Sequence, residues 1–581
     1  MSILSYFKRS ATQQQGAPRA SVAAAPGGPA AAIGSTDEYI DGIKKDIDAD
    51  RLDLTGNATV VPPCPFATAK AANDARRRSG ASLLTEHDLA QLALRPVVFA
   101  WVPEKIYPGV SVKCPACKTI VSPARWCRAR ILHGLEKQSA YITKEYICYS
   151  CEAGPRPGHA RGDGEAGGSK RRRQRAFQAD AAAALSALPP FASSMWRFVN
   201  TGRVLCEPGV VDFVRALATR ASWSAIAEAL NELKEAAWER QVVQLHADLC
   251  KTLRGDVYVD AIALPSEHRL SADWVRNIYV SDAEKRRRAV TDELSAERGD
   301  DVLALDWTVD AAARCSSNYL FNAMDGQGHL LMSSLTTTCS PYGVKKLLVA
   351  LRQRGVAPRV VYVDCECCGS WRAIISEIWP GASIKLDGMH AIRRLTRTTT
   401  STQNPLHGRF CAALSAAIYT YDSDTLARLQ AAQRREGQRG GVTTRTKRKH
   451  VPRVIADAKR IARDIDNVIV RFEGASGGAG PLLTTATQEA WRDLRPHVLS
   501  GCLCDPPDVQ MNSTSSPVMI GGEQFETIRT VRGASALEGF HTHQKQWLGC
   551  LGRHAADAGT ALLADGAVRW NRKRRRERGE G

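Results

Sequence analysis

The sequence has no uninterrupted apolar run of about 18 residues, so no segment is expected to cross a bilayer as a helix. Its first residues, MSILSYFKRS, lack the apolar stretch of a secretory signal. The cysteines do not form the even-numbered set of a disulfide framework. There are 17, and Cys250, Cys315 and Cys411 sit inside apolar runs. That usage fits a reducing compartment, with free thiols and a metal site. No internal repeat is present. Acidic residues are in deficit, 60 Asp+Glu against 79 Lys+Arg, for a net charge of +19 over 581 residues. The excess points to a polyanionic partner, nucleic acid before a membrane. A chain this long exceeds one ordinary core, so about two to four domains are expected.

Residues 1–85 are rich in Ala, Pro, Gly, Ser and Thr and read as a disordered lead. Within it Ile3, Tyr6 and Phe7 resemble part of a sliding-clamp-binding peptide, without its usual leading Gln. Residues 86–152 carry Cys114, Cys117, Cys148 and Cys151, two C-x2-C pairs with 30 residues between them. Each pair can grip an ion with two thiolates, and two pairs complete a tetrahedral four-cysteine zinc site. RARILH and YITKEYIC between the pairs supply the strands of a zinc-ribbon-like hairpin. Four thiolates leave zinc no open position for water, so the site reads as structural. Cys127 is a substitute ligand.

Residues 153–175 form a Gly/Arg linker ending in Lys170, Arg171, Arg172 and Arg173, either a solvated tether or a phosphate-contacting or nuclear import signal. Residues 176–300 have helical periodicity and read as an ordinary helical unit or a helix-turn-helix DNA reader, followed by a connector.

Residues 301–400 form the stretch that organises the chain. VLALDWTVD, NYLFNAMD and HLLMSSLTT read as strands; then come a helix over 341–355, the run RVVYVD, the helix SWRAIISEIW and the run SIKLDGMH. The order β-β-β-α-β-α-β is the layout of a ribonuclease H-like mixed α/β sheet. Runs such as LALDW and VVYVD suit strands covered on both faces. A carboxylate in such a run is costly to bury as an unpartnered anion. Asp306 and Asp364 therefore point to a shared metal, although either alone is also a common turn residue. Trp307, beside Asp306, is bulkier than the small polar neighbour expected at an open site.

Strand signals stop after His390. Residues 401–525 read as a helical insertion containing a basic segment with Lys447, Arg448 and Lys449, its last part an irregular connector in which Cys502 and Cys504 lack partners at useful spacing. Residues 526–572 supply C-terminal helices that complete the core, and 573–581 a basic tail. Ser535 and Glu538 have the spacing of a capping box, which gives Glu538 a purely structural reading. Glu538 and His541, three apart, share a helix face.

LALDWTVD, VYVDCECC, IKLDGMHAIRRL, GASALEGFH and AVRWNRKR, in this order, resemble a group of uncharacterised transposase-derived proteins. These join an N-terminal cysteine-rich domain to a DDE-type, ribonuclease H-like transposase domain. The resemblance implies a DNA transposase whose three acids fall on Asp306, Asp364 and Glu538, holding catalytic Mg²⁺ or Mn²⁺. Glu538 comes 174 positions after Asp364, and the helical insertion accounts for the gap. Asp387 is the alternative third acid, and His390 of the Asp-x-x-His element an auxiliary residue. Lys385, Arg393, Arg394 and Arg397 are near enough in sequence to bind phosphates, or form a solvated helix face.

Three activities fit these readings: strand cleavage and joining by two-metal phosphoryl transfer; a non-catalytic, host-adopted nuclear zinc-containing DNA binder; and a ribonuclease H-like nuclease without strand transfer. DNA is the expected partner, the nucleus the expected location, and a homo-oligomer the expectation by analogy.

Overall fold

The computed structural model describes residues 36–62, 65–80, 94–152, 174–202, 204–253, 264–315, 317–438, 440–476, 480–549 and 556–579, with Ala23–Ala24 and isolated positions between 82 and 92. The chain divides into two compact units, one comprising Met1–Leu217 and Trp223–Asp282, the other Ala218–Ser222 and Ala283–Gly581. Ile3, Tyr6, Phe7 and the cluster Lys170 to Arg173 lie outside the described residues.

The first unit is built on a nine-stranded sheet. Its strands are β1 (Ala23–Ala24), β2 (Thr59–Val61), β3 (Val97–Trp101), β4 (Pro123–Trp126), β5 (Arg130–His133), β6 (Gln138–Glu152), β7 (Gln174–Gln178), β8 (Val199–Asn200) and β9 (Leu205–Cys206). β5 and β6 are the antiparallel pair expected between the cysteine pairs. The expectation of a disordered lead to residue 85 fails from Thr36 onward. Helix α1 (Thr36–Asp48) buries Ile40, Ile43 and Ile47, spaced by three and four residues, in the same core as Val98, Trp101 and Tyr141. A second helix, α2 (Pro65–Ser79), follows β2. The cysteine domain is thus larger than 86–152, drawing strands from both sides of that range. The range 176–300 opens with short helices among β7 to β9, and its longer helices are α3 (Pro208–Leu217) and α4 (Trp223–Leu253). Helix α5 (Ala272–Ala296) follows.

The second unit is mixed α/β, with a five-stranded sheet in the order β12-β11-β10-β13-β14. The strands are β10 (Val302–Thr308), β11 (Tyr319–Asp325), β12 (Leu330–Thr336), β13 (Val360–Val363) and β14 (Ser383–Leu386). β10 to β12 form an antiparallel meander, whereas β13 pairs parallel with both β10 and β14. Parallel neighbours need helical crossovers. α6 (Pro341–Gln353) and α7 (Ser370–Ile378) supply them. α6 starts with Pro341 at its first turn and stops before Gly355, whose φ of +92° only glycine adopts freely.

Strand alternation assigns each side chain to a face. Leu303, Leu305, Val361 and Val363 point into one core with Trp371 and Ile375 of α7. Val302, Ala304, Val360 and Tyr362 point into another with Leu537, Phe540 and Trp570. Burying each such aliphatic side chain contributes about 1.5–3 kcal/mol. Trp307 falls on the first face, 5.2 Å from Phe321 and 5.4 Å from Trp371 between ring centroids. Asp306 falls on the second. Trp307 therefore crowds no acid, and its bulk belongs to the opposite core.

After α8 (Gly388–Thr396) come α9 (His407–Ile418), β15 (Tyr419–Tyr421), α10 (Ser423–Arg435), α11 (Thr444–His450), β16 (Arg453–Ile455), α12 (Ala458–Phe472) and α13 (Thr485–Leu499). These are not a separate lobe, since Phe410, Ile461, Ile465, Trp491 and Leu494 share the core of the α7 face. The expected irregular connector near 501–530 contains a hairpin, β17 (Asn512–Ile520) and β18 (Glu523–Thr530), joined by Gly521 and Gly522 at φ +54° and +77°. Serines and Pro517 hid this strand, and β15 and β16 are too short to show periodicity. α14 (Ser535–Gly549) and α15 (Ala556–Arg578) close the unit. Among the described residues no helix is long and apolar enough to cross a membrane.

Candidate metal centres and acidic site

In the first unit Cys114, Cys117, Cys148 and Cys151 converge, their sulfurs all within 4.8 Å of one another. Lys118, at φ +63°, turns the first pair into a knuckle, and the Cys114 amide donates to Thr119 O at 2.8 Å. The second pair sits where the β6–β7 register shifts, between Cys148 and Glu152. Cys114 Sγ lies 3.7 Å from Cys151 Sγ, and Cys117 Sγ 3.5 Å from Cys148 Sγ. Hydrogen bonding to Thr119 holds the Cys117 thiol down at about 6, whereas burial raises Cys148 and the hydrogen bond with Cys117 raises Cys151. The group is compatible with zinc. Cys127 is not a member, and burial pushes its thiol up to about 11.

In the second unit the acids gather at the carboxyl ends of β10 and β13. The ladder pairs Ala304 with Tyr362, so Asp306, two residues further along β10, and Asp364, the first residue past β13, follow the same parallel register. They share the face opposite Trp307. α14 lies across that face, held by a buried amide pair. Gln544 Nε2 donates to Asn322 Oδ1 at 2.8 Å, and Asn322 Nδ2 donates back to Gln544 Oε1 at 3.1 Å. Asn322 is the cross-strand partner of Asp306. This docking brings Glu538 to the acids: carboxylate oxygens of Asp306 and Glu538 and an imidazole nitrogen of His390 lie within 4.8 Å of one another.

Glu538 forms an ion pair with Arg393 and lies 3.6 Å from His390 Nε2, which is 4.0 Å from Asp306 Oδ1. Its carboxylate is therefore turned toward the acids, beyond the capping role its spacing with Ser535 suggested. Asp387 stands one step removed. It caps α8, accepting from the His390 amide at 2.8 Å and facing His390 Nδ1 at 3.0 Å through Oδ1. Its Oδ2 accepts from the Ala534 amide at 2.6 Å. Gly533, at φ +71°, is required there, because a Cβ would lie 2.3 Å from that oxygen. Both Asp387 oxygens are thus committed to holding His390 and the start of α14.

Burial is the main reason the Asp306 carboxyl is pushed up to about 7, with the Asp364 and Glu538 charges adding to it and His390 opposing. Burial alone would lower His390, but its Asp387 hydrogen bond and the Asp306 charge outweigh that and raise it. Burial also raises Asp387, yet the His390 and Ala534 hydrogen bonds bring it below the usual carboxylate range. His541, on the Glu538 face of α14, has Nδ1 3.8 Å from Asp306 Oδ2, and burial holds it down to about 4. Asp364 Oδ1 is buried with no hydrogen-bond partner. A crowded acid with a raised pKa beside an orphaned carboxylate oxygen suits a divalent cation with oxygen ligands.

A third group was not legible. Cys367, Cys368, His497 and Cys502 also lie within 4.8 Å of one another and are compatible with zinc. The reading of Cys502 as partnerless is corrected: Cys368 Sγ is 3.3 Å away, from a position 134 residues earlier.

The basic residues separate into two classes. Arg393 pairs with Glu538, Arg394 donates to Asp364 O at 3.0 Å, and Lys385 donates to Gly501 O at 3.0 Å, so these serve the fold around the acids. Arg448 and Lys449 of α11 are exposed, and Lys447 is half-buried. In the tail, Arg575 pairs with Glu293 at 3.2 Å, while Lys573 and Arg576 are exposed. No protein-family model and no curated relative matches this sequence.

Proposed function

We propose that this protein is a DDE-type DNA transposase, or a domesticated derivative, that cleaves and joins DNA strands in the nucleus. The observation that carries the reading is the approach of Asp306 and Glu538 around His390, with Asp364 just past the parallel strand beside Asp306. Three meandering strands followed by two parallel ones, in the order β12-β11-β10-β13-β14, support a ribonuclease H-like core. The three carboxylates would hold Mg²⁺ or Mn²⁺. When bound, a pair of such ions activates the attacking oxygen and stabilises the leaving one.

The chain's own residues prepare that chemistry. The Asn322–Gln544 pair fixes α14 so that Glu538 faces Asp306. Asp387 orients His390, whose Nε2 lies between Asp306 and Glu538 and moderates their repulsion. Lys447, Arg448 and Lys449 offer a phosphate-contacting surface, and the four-cysteine centre stabilises the unit that precedes the acids.

The test is Mg²⁺- or Mn²⁺-dependent cleavage of supercoiled plasmid by the full chain. Asp306→Ala, Asp364→Ala and Glu538→Ala should each be silent. Joined products would separate a transposase from a nuclease that leaves only cut ends. An inert wild type that still binds DNA in a salt-sensitive way would overturn the catalytic reading in favour of a nuclear DNA binder.

A further inference from the structure

We propose that Cys367, Cys368, His497 and Cys502 bind a Zn²⁺ ion of their own, and that this ion fastens the end of the inserted helical block to the loop leaving Asp364. The second half rests on the reading of Asp364 as a catalytic acid; the first does not.

The donor set and its spacing carry the site. Cys367 Sγ lies 3.9 Å from Cys368 Sγ and 3.3 Å from His497 Nδ1, and Cys368 Sγ lies 3.3 Å from Cys502 Sγ. Bonds of about 2.3 Å to sulfur and about 2.0 Å to nitrogen give a tetrahedral zinc edges of about 3.8 Å between sulfurs and slightly less to nitrogen. The four donors fit that cage with small adjustments. Cys367 and Cys502 are buried, so a set of apolar contacts already excludes water from half of it. Arg372 lies 3.8 Å from Cys368 Sγ, a cation suited to the net negative charge of three thiolates and one imidazole around zinc. A disulfide between Cys368 and Cys502 is the competing explanation. It would use two of the four groups and leave Cys367 and His497 facing each other without a reason.

The site joins two distant segments. Cys367 follows Asp364 by three residues, across Glu366, which holds the left-handed conformation at φ +50°. That is an uncommon state for a residue with a side chain. From the other segment, the Cys502 carbonyl accepts from the Leu386 amide at 2.8 Å, at the end of β14. The neighbouring Asp387 amide donates to Val363 O at 2.8 Å, one residue before Asp364. The ion therefore closes a loop of backbone bonds around the second acid, with both loop ends fixed.

The measurement is the zinc content of the purified, reduced full chain, released by a mercurial and counted per chain. The wild type should hold two ions; Cys502→Ser and Cys114→Ser should hold one each, and the double variant none. His497→Cys, which turns the three-cysteine, one-histidine set into four sulfurs, should keep both, and this variant guards against a Cys502→Ser chain that fails to fold. A Cys502→Ser chain still holding two ions, or a wild-type chain two hydrogens lighter by intact mass without reductant, would overturn the site. For the role, Cys502→Ser should lower plasmid cleavage by at least about tenfold and raise the Mg²⁺ concentration for half-maximal rate, with DNA affinity held. Cleavage at the wild-type rate with one zinc lost would overturn the role. A wild type inert in cleavage but holding two ions would count against the transposase reading alone.

Discussion

Asp387 uses a single carboxylate oxygen to receive the His390 amide and to face the His390 ring, while its other oxygen receives the Ala534 amide. One side chain therefore aligns the imidazole beside the acids and the start of the helix that carries Glu538. Asp387→Asn keeps the cap but sets an amide N–H against the Ala534 N–H. We expect a loss of about 1–3 kcal/mol in urea unfolding and a fall in cleavage of about 10–100-fold. The His390 pKa, followed by NMR, should drop once the neighbouring negative charge is gone. An unchanged His390 titration would count against this role.

Asp306 makes stability depend on pH in a direction opposite to most carboxylates. Its folded pKa of about 7 exceeds the unfolded value, so the folded state holds a proton that the unfolded state has lost. Stability should therefore fall as pH rises from about 4 to 7. The raised His390 value acts in the same sense, since its contribution is present below the unfolded pKa and lost as pH passes the folded one. Without divalent metal, Asp306→Asn should melt higher than wild type at pH 8, with the difference shrinking toward pH 4. Mg²⁺ should stabilise the wild type more at pH 8 than at pH 5.5. Thermal melts at the two pH values check both statements.

The Asn322–Gln544 pair should behave as a unit. Gln544→Ala leaves the fully buried Asn322 amide without its partner, a loss of about 1–3 kcal/mol. Replacing both by leucine should cost less than the sum of the single changes, and a double-mutant cycle in denaturant measures the difference. Additive losses would show that the amides do not act together.

Zinc removal should affect the first unit. A chelator strong enough to empty the four-cysteine group, or Cys114→Ser with Cys117→Ser, should release the knuckle from the β6 end. Limited proteolysis should then cut near residues 114–151 in the metal-free protein but not in the loaded one. Equal cutting in both would remove zinc from the account of this unit's stability.

The order of the second unit's elements was legible because its strands are continuous apolar runs, and period-two alternation carries Asp306 and Asp364 onto one face. The four-cysteine group was legible because both pairs are local in sequence. The Cys367–Cys502 group was not, since its donors come from segments more than a hundred residues apart and form no C-x2-C pair. His541 was visible only as a neighbour of Glu538 on a helix face. The helix at Thr36–Asp48 shows its isoleucines at helical spacing, but the low-complexity residues before it obscured the start of the fold. Asp387 looked interchangeable with a metal ligand in sequence; only the positions of the Ala534 amide and Gly533 separate the two roles.

Glu538 sits on a helix packed against strands whose residues come more than two hundred positions earlier in the sequence. During synthesis the sheet can therefore form with two acids in place while the third has yet to emerge from the ribosome. A nascent or prematurely terminated chain ending before Ser535 has no complete acidic centre, whatever else has folded.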